Sequence, residues 1–148
     1  MHRACMGRST VEWAKVMCEL IPLQMSGPEL IEDMRRRMIA AYERHLPVLP
    51  GAVEAVRRMA AAFPVALASG SMTALIHHVL NATGLKSLIA VVVLGDTIPH
   101  GKPAPDIYLE AARRLGVAPS DCAGVEDSGN GLRALWAAGM KAVAVPSP

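Results

Sequence analysis

The stretch CAGVEDSGNGLRALWAAGMKAVAV, residues 122–145, reads as strand, loop, helix and strand in succession. CAGVE at 122–126 and KAVAV at 141–145 are short apolar runs, and GLRALWAAG between them has helical spacing. A strand, a helix and a second strand in that order form a right-handed crossover between parallel strands. In parallel sheets, ligands gather outside the carboxyl ends of the strands. There the sequence sets Glu126 beside Asp127, just before the glycine-rich turn SGNG at 128–131. Two neighbouring carboxylates repel each other unless a cation or a proton lies between them.

Outward from this unit the same alternation continues. PVALA at 64–68 reads as a strand, followed by SGS and a helix to about Leu80. AVVVLG at 90–95 is a second strand, leading through DTIPHGKPAPD into a helix to about Leu115. Strands alternating with helices predict an α/β fold with a parallel sheet covered on both faces. The first third is helical instead. TVEWAKVMCELI at 10–21 places Val11, Ala14, Met17, Cys18 and Ile21 near helical period. GPELIEDMRRRMIAAYERHL at 27–46 does the same with Leu30, Ile31, Met34, Met38, Ala41 and Tyr42, opened by Gly27 and Pro28. PVLPG at 47–51 breaks the pattern, and Gly51 opens a helix over 52–62. The boundary expected from this break separates a helical part, 1–46, from a sheet part, 47–148.

The chain of 148 residues is 52% hydrophobic and 19% charged, enough to bury the core of one domain. A net charge of +2 gives no reason to expect nucleic acid as a partner. Cys5, Cys18 and Cys122 show neither disulfide-scaffold nor zinc spacing. The longest apolar run, LIAVVVLG at 88–95, is too short to span a bilayer, and the N-terminus lacks a secretory pattern. A reducing cytoplasm, with no membrane, is the expectation. The triple Arg35, Arg36 and Arg37 reads as a solvated helix face.

Every polar cluster falls at a strand end: Ser69, Gly70 and Ser71 after the first strand, Lys102 after the second, Glu126 and Asp127 after the third. Each has a plain structural reading. Ser71 and Ser128 stand where helix N-caps are expected. Lys102 alone reads as a surface lysine, although Pro103 and Pro105 stiffen its loop. Asp106 suits the positive end of the following helix dipole. Taken together, a serine–glycine turn before a helix can bind phosphate, and a carboxylate pair can hold Mg²⁺ with water and a substrate phosphate. That sum points to phosphoryl transfer. GVEDSGNG is not a dinucleotide fingerprint, and no glycine-rich loop ends in GKS or GKT.

LASGS, GKPAPD and GVEDSGNG, in this order, resemble the second, third and fourth motifs of the haloacid dehalogenase superfamily. The branch they resemble is that of beta-phosphoglucomutase-like enzymes and small-metabolite phosphatases, which carry a helical cap. The resemblance implies a Mg²⁺-dependent phosphatase or phosphomutase acting on a small phosphorylated metabolite such as a sugar phosphate. It implies that Ser69 and backbone N–H groups near Gly70 bind the phosphoryl group and that Lys102 neutralises it. Glu126 and Asp127 would hold Mg²⁺, directly or through water. Residues 1–46 would be part of the cap and 47–148 the core, with Arg8 and Ser9 of MGRS as substrate contacts.

One motif of that family has no counterpart. Its nucleophile and general acid stand in an Asp-x-Asp-Gly sequence at the end of a central strand. The aspartates here are Asp33, Asp96, Asp106, Asp121 and Asp127, and no two are separated by one residue. The expectation is a Rossmann-like sheet lacking its first, central strand, in an inactive or incomplete fragment whose missing motif lies upstream of Met1. Its open edges would invite homo-oligomers or strand donation from another chain. The alternative is a non-catalytic phosphate- or metal-binding or interaction protein derived from the same fold.

Overall fold

The computed structural model describes residues 10–145. Arg8 and Ser9 therefore lie outside the described residues. Two helices, α1 (Thr10–Leu20) and α2 (Gly27–Arg44), pack on each other and precede α3 (Ala52–Ala60). The remainder alternates as β1 (Val65–Ser69), α4 (Thr73–Ala82), β2 (Ile89–Leu94), α5 (Asp106–Leu115), β3 (Ala123–Glu126), α6 (Gly129–Ala137) and β4 (Lys141–Ala144). Each of these corresponds to an element expected from periodicity. Helix α2 starts at a capping box, in which Ser26 and Glu29 satisfy each other's amides. Its arginines pair along the helix, Arg35 with Glu32 and both Arg36 and Arg37 with Asp33, as a solvated face does.

The strands form two parallel pairs. β1 pairs with β2 from Val65↔Ile89 to Ser69↔Leu94, and β3 with β4 from Ala123↔Lys141 to Glu126↔Ala144. Among the described residues β1 and β3 share no ladder, so the inner edges of the two pairs are unpaired. This is the α/β arrangement lacking a central strand that the sequence predicts.

Side chains join what the backbone does not. Val93 of β2, Ile107, Ala111 and Ala112 of α5, and Ala134 and Leu135 of α6 form one buried cluster, with Ala66 and Ala68 of β1 and Ala142 of β4 against it. A second cluster, Ile76, Leu80 and Leu85, packs α4 on the other face of β1 and β2 with Leu67, Val92 and Leu94. The corresponding face of β3–β4 is bare: Val125 is 69% and Val143 50% exposed. At the carboxyl ends, Gly95 lets the loops after β1 and β2 meet, because a Cβ there would lie 2.8 Å from Gly70 Cα.

Leu135 has no exposure and sits where α6 meets α5. Leu135→Ala is expected to cost about 3 kcal/mol of unfolding free energy, measured by urea denaturation. A loss below about 1 kcal/mol would show that this cluster does not join the two strand pairs.

Candidate functional site

The carboxyl ends of β1 and β3 and the loop after β2 open into a pocket of about 450 Å³. Its polar end is lined by Ser69, Gly70, Ser71, Lys102, Glu126, Asp127 and Ser128. Its other end is lined by Trp13, Met34, Met38, Met72 and Leu75. Of the residues singled out in the sequence, Ser69, Gly70, Lys102, Glu126 and Asp127 thus share one pocket.

Glu126 organises the polar end. It is the last residue of β3 and is buried. Its Oε1 accepts from the Lys102 ammonium and from the Tyr108 hydroxyl, the latter at 2.5 Å. Its Oε2 accepts from the Ser128 hydroxyl at 3.0 Å and the Ser128 amide at 3.2 Å. Both oxygens are therefore engaged from two sides. Gly131, in the first turn of α6, leaves room for the carboxylate, since a Cβ there would collide with it. Ser128 caps α6 by accepting from the Gly131 amide at 3.0 Å, as the sequence predicts.

Lys102 is held twice. Besides its ion pair with Glu126, its Nζ lies 4.9 Å from the centre of the Tyr108 ring, a favourable place for a cation. Burial pushes the Glu126 carboxyl up, but the hydrogen bonds from Lys102 and Tyr108, the Lys102 charge and the Ser128 amide together outweigh it. The net result holds Glu126 down from 4.5 to about 2. Burial also pushes the Tyr108 hydroxyl far up, reinforced by its hydrogen bond to Glu126 and the charges of Glu126 and Asp127. Tyr108 therefore remains a proton donor to the carboxylate.

Ser71 differs from its expected place. The N-cap position of α4 belongs to Met72, which has no side-chain cap, and the Ser71 amide donates to Ser69 Oγ at 3.2 Å. The serine two residues earlier captures that amide, a local turn that competes with capping. Asp106 opens α5 and pairs with His100 at 2.9 Å, in keeping with its helix-end reading. Thr10 of α1 donates to the Gly70 carbonyl at 3.3 Å, tying the helical part to the turn after β1.

Sequence reasoning passed over Tyr108, Trp13, Met34 and Met38. Tyr108 stands six positions after Lys102, just inside the helix that the Lys102 loop enters, which is a usable signal. The other three read as ordinary apolar positions of amphipathic helices, and nothing in their spacing separates a pocket wall from a core face.

The pocket offers only part of the donor set that a hard cation takes. Asp127 offers an exposed carboxylate on the pocket wall, whereas the oxygens of Glu126 already accept four hydrogen bonds. Among the described residues no three His, Cys, Asp or Glu side chains cluster as a metal cage. The residues present fit Mg²⁺ in its common mode, in which one or two carboxylates act with water and a phosphate. They do not form an all-protein shell.

The fold and these motifs are those of a known family. Residues 7–139 match the haloacid dehalogenase-like hydrolases, and the chain belongs to that family. It is 38% identical over 143 residues to the bifunctional riboflavin kinase/FMN phosphatase of Arabidopsis thaliana, covering 95% of this chain and 38% of that protein. It is 36% identical over 124 residues to hexitol phosphatase B of Escherichia coli (strain K12), covering 83% of this chain and 56% of that one. Its fold matches beta-phosphoglucomutase from Clostridium difficile with a TM-score of 0.84 at 23% identity, over 98% of this chain and 68% of that one. The chain spans about half the length, or less, of these two curated relatives.

The depressed Glu126 carboxyl has a consequence for pH. A carboxyl whose folded value lies below its unfolded one stabilises the fold above the unfolded value, and this is lost as pH falls through the folded value. The unfolding free energy of the wild type minus that of Glu126→Gln should therefore shrink as pH drops from 4.5 to about 2. Taking the difference removes Glu110, which titrates low as well because of its hydrogen bonds to Arg113 and Arg114. A flat difference across that window would contradict the Lys102–Glu126–Tyr108 arrangement.

Proposed function

We propose that this chain carries the phosphate-binding half of a phosphoryl-transfer site acting on a small phosphorylated metabolite, as phosphatase or phosphomutase. The observation that carries this reading is the convergence of Ser69, Gly70, Lys102 and Asp127 on one pocket at the carboxyl ends of parallel strands. Both curated relatives described above are named as phosphatases, which supports it. In this reading residues 1–46 serve as part of a cap and 47–148 as the core. Arg8 and Ser9 belong to the substrate side. The free thiols Cys18 and Cys122 suit a cytoplasmic setting, and no helix among the described residues is long and apolar enough to cross a membrane.

Each residue has a distinct task. Ser69 Oγ and the amides around Gly70 hold phosphate oxygens where the turn approaches most closely. Lys102, aimed by Glu126 and Tyr108, balances the charge of the phosphoryl group. Asp127, with Glu126 through water or directly, would hold Mg²⁺. Bound there, the cation supplies the positive charge that offsets a lining of two carboxylates against one ammonium. Ser128 keeps Glu126 turned toward Lys102.

The sequence contains no Asp-x-Asp pair, and among the described residues Asp127 is the pocket's one aspartate. This chain alone is therefore read as binding phosphate with little or no turnover. The unpaired inner edges of β1 and β3 support completion of the sheet by a strand from a second copy or another chain.

Calorimetry with inorganic phosphate and turnover of an aryl phosphate test these points together. Phosphate is expected to bind at least about tenfold more tightly with Mg²⁺ than with a chelator, and Lys102→Ala to abolish binding, while turnover stays near background. Robust Mg²⁺-dependent turnover lost in Lys102→Ala would overturn the claim that the chain lacks a nucleophile. Absence of phosphate binding would overturn the site itself. Sedimentation is expected to show concentration-dependent self-association or a co-purifying chain, and a clean monomer at all concentrations would contradict the open-edge argument.

A further inference from the structure

The two ends of the pocket differ in kind. At the strand ends every lining residue offers a hydroxyl, an amide or a charge. Opposite, Trp13 of α1, Met34 and Met38 of α2, and Met72 and Leu75 at the start of α4 offer none that could pair with a hydroxyl-rich ligand. Met34 and Met38 are four residues apart and so share one helix face. Among the described residues at that end the one hydroxyl, that of Thr10, donates to the Gly70 carbonyl. Among the described residues no charged or amide side chain lines this half.

From this division we infer that the group carried by the phosphate is flat and apolar or aromatic rather than a polyol. The inference rests on the phosphate reading of the polar end and goes beyond it by naming the class of ligand. A polyol lying against Trp13 and the methionines would lose hydrogen bonds to water on that side and gain none from the described wall, which is unfavourable. An aromatic ring loses nothing of that kind. It can lie against the Trp13 indole in an offset or edge-on arrangement. The thioethers of Met34, Met38 and Met72 are polarisable, make favourable contacts with ring edges, and adapt their shape to the ligand. The pocket volume of about 450 Å³ suits a ligand of one or two rings plus phosphate.

The chain has two tryptophans, and Trp136 is 64% exposed and away from the pocket. Trp136→Phe therefore leaves Trp13 as the sole indole reporter. In that background, with Mg²⁺ present, Trp13 emission is titrated with methylphosphonate, phenylphosphonate and glucitol 6-phosphate. Phenylphosphonate is expected to bind about tenfold more tightly than methylphosphonate and to shift Trp13 emission, with glucitol 6-phosphate no tighter than methylphosphonate. By calorimetry, Trp13→Ala should bring the phenylphosphonate affinity down to that of methylphosphonate. Glucitol 6-phosphate binding as tightly as phenylphosphonate, or a phenyl preference that survives Trp13→Ala, would overturn the inference. The ligand series in the parent protein carries the test if Trp13→Ala does not fold. Anion binding without a phenyl preference overturns this inference alone. Failure of every anion to bind overturns the phosphate reading and this inference with it.

Discussion

A single buried carboxylate constrains the architecture of the site. Glu126 ends β3 in a buried position at the wall of the pocket, where an unpaired charge would cost several kcal/mol. Its partners come from three separate places: Lys102 from the loop after β2, Tyr108 from α5, and Ser128 from the start of α6. Satisfying Glu126 therefore locks the β1–β2 half to the β3–β4 half at the end where the pocket opens. Lower down, Val93, Ile107 and Leu135 do the same by apolar contact. Two strand pairs that share no hydrogen bonds are held together by side chains at two levels.

The same arrangement sets the chemistry. Lys102 could reach many positions on its flexible stem, but the Glu126 carboxylate and the Tyr108 ring restrict its ammonium to one side of the pocket. Asp127, next in sequence, is exposed on the wall of the same pocket. Adjacent carboxylates thus sit in different environments, Glu126 buried at the end of β3 and Asp127 exposed just beyond it. The family the chain belongs to and the convergence of Ser69 and Lys102 on the same space support the proposal that this polar end handles phosphate.

Much of this was legible in the sequence, and the reasons are local. The strands AVVVL and CAGVE are short apolar runs and the helices between them carry helical spacing, so their order and parallel sense followed. Ser69, Lys102, Glu126 and Asp127 were recognisable because each polar cluster follows an apolar strand. Glu126 as a hub was not legible, since nothing in GVEDS says which carboxylate turns inward; that depends on Gly131 leaving room and on Tyr108 arriving from another helix. Trp13, Met34 and Met38 were hidden because a pocket wall and a core face obey the same apolar spacing. Ser71 does not cap because the helix begins at Thr73, which puts Met72 at the N-cap position.

The central claim is that Lys102, oriented by Glu126, faces a phosphate in this pocket. The chain has four lysines, Lys15, Lys86, Lys102 and Lys141, so the side-chain NMR signals of a ¹³C-lysine-labelled sample can be assigned by single substitutions. On titration with inorganic phosphate and Mg²⁺, the Lys102 signal should move in a saturable way while the other three stay still. A Lys102 signal that does not respond, or one that moves no more than the exposed lysines do, would contradict the account.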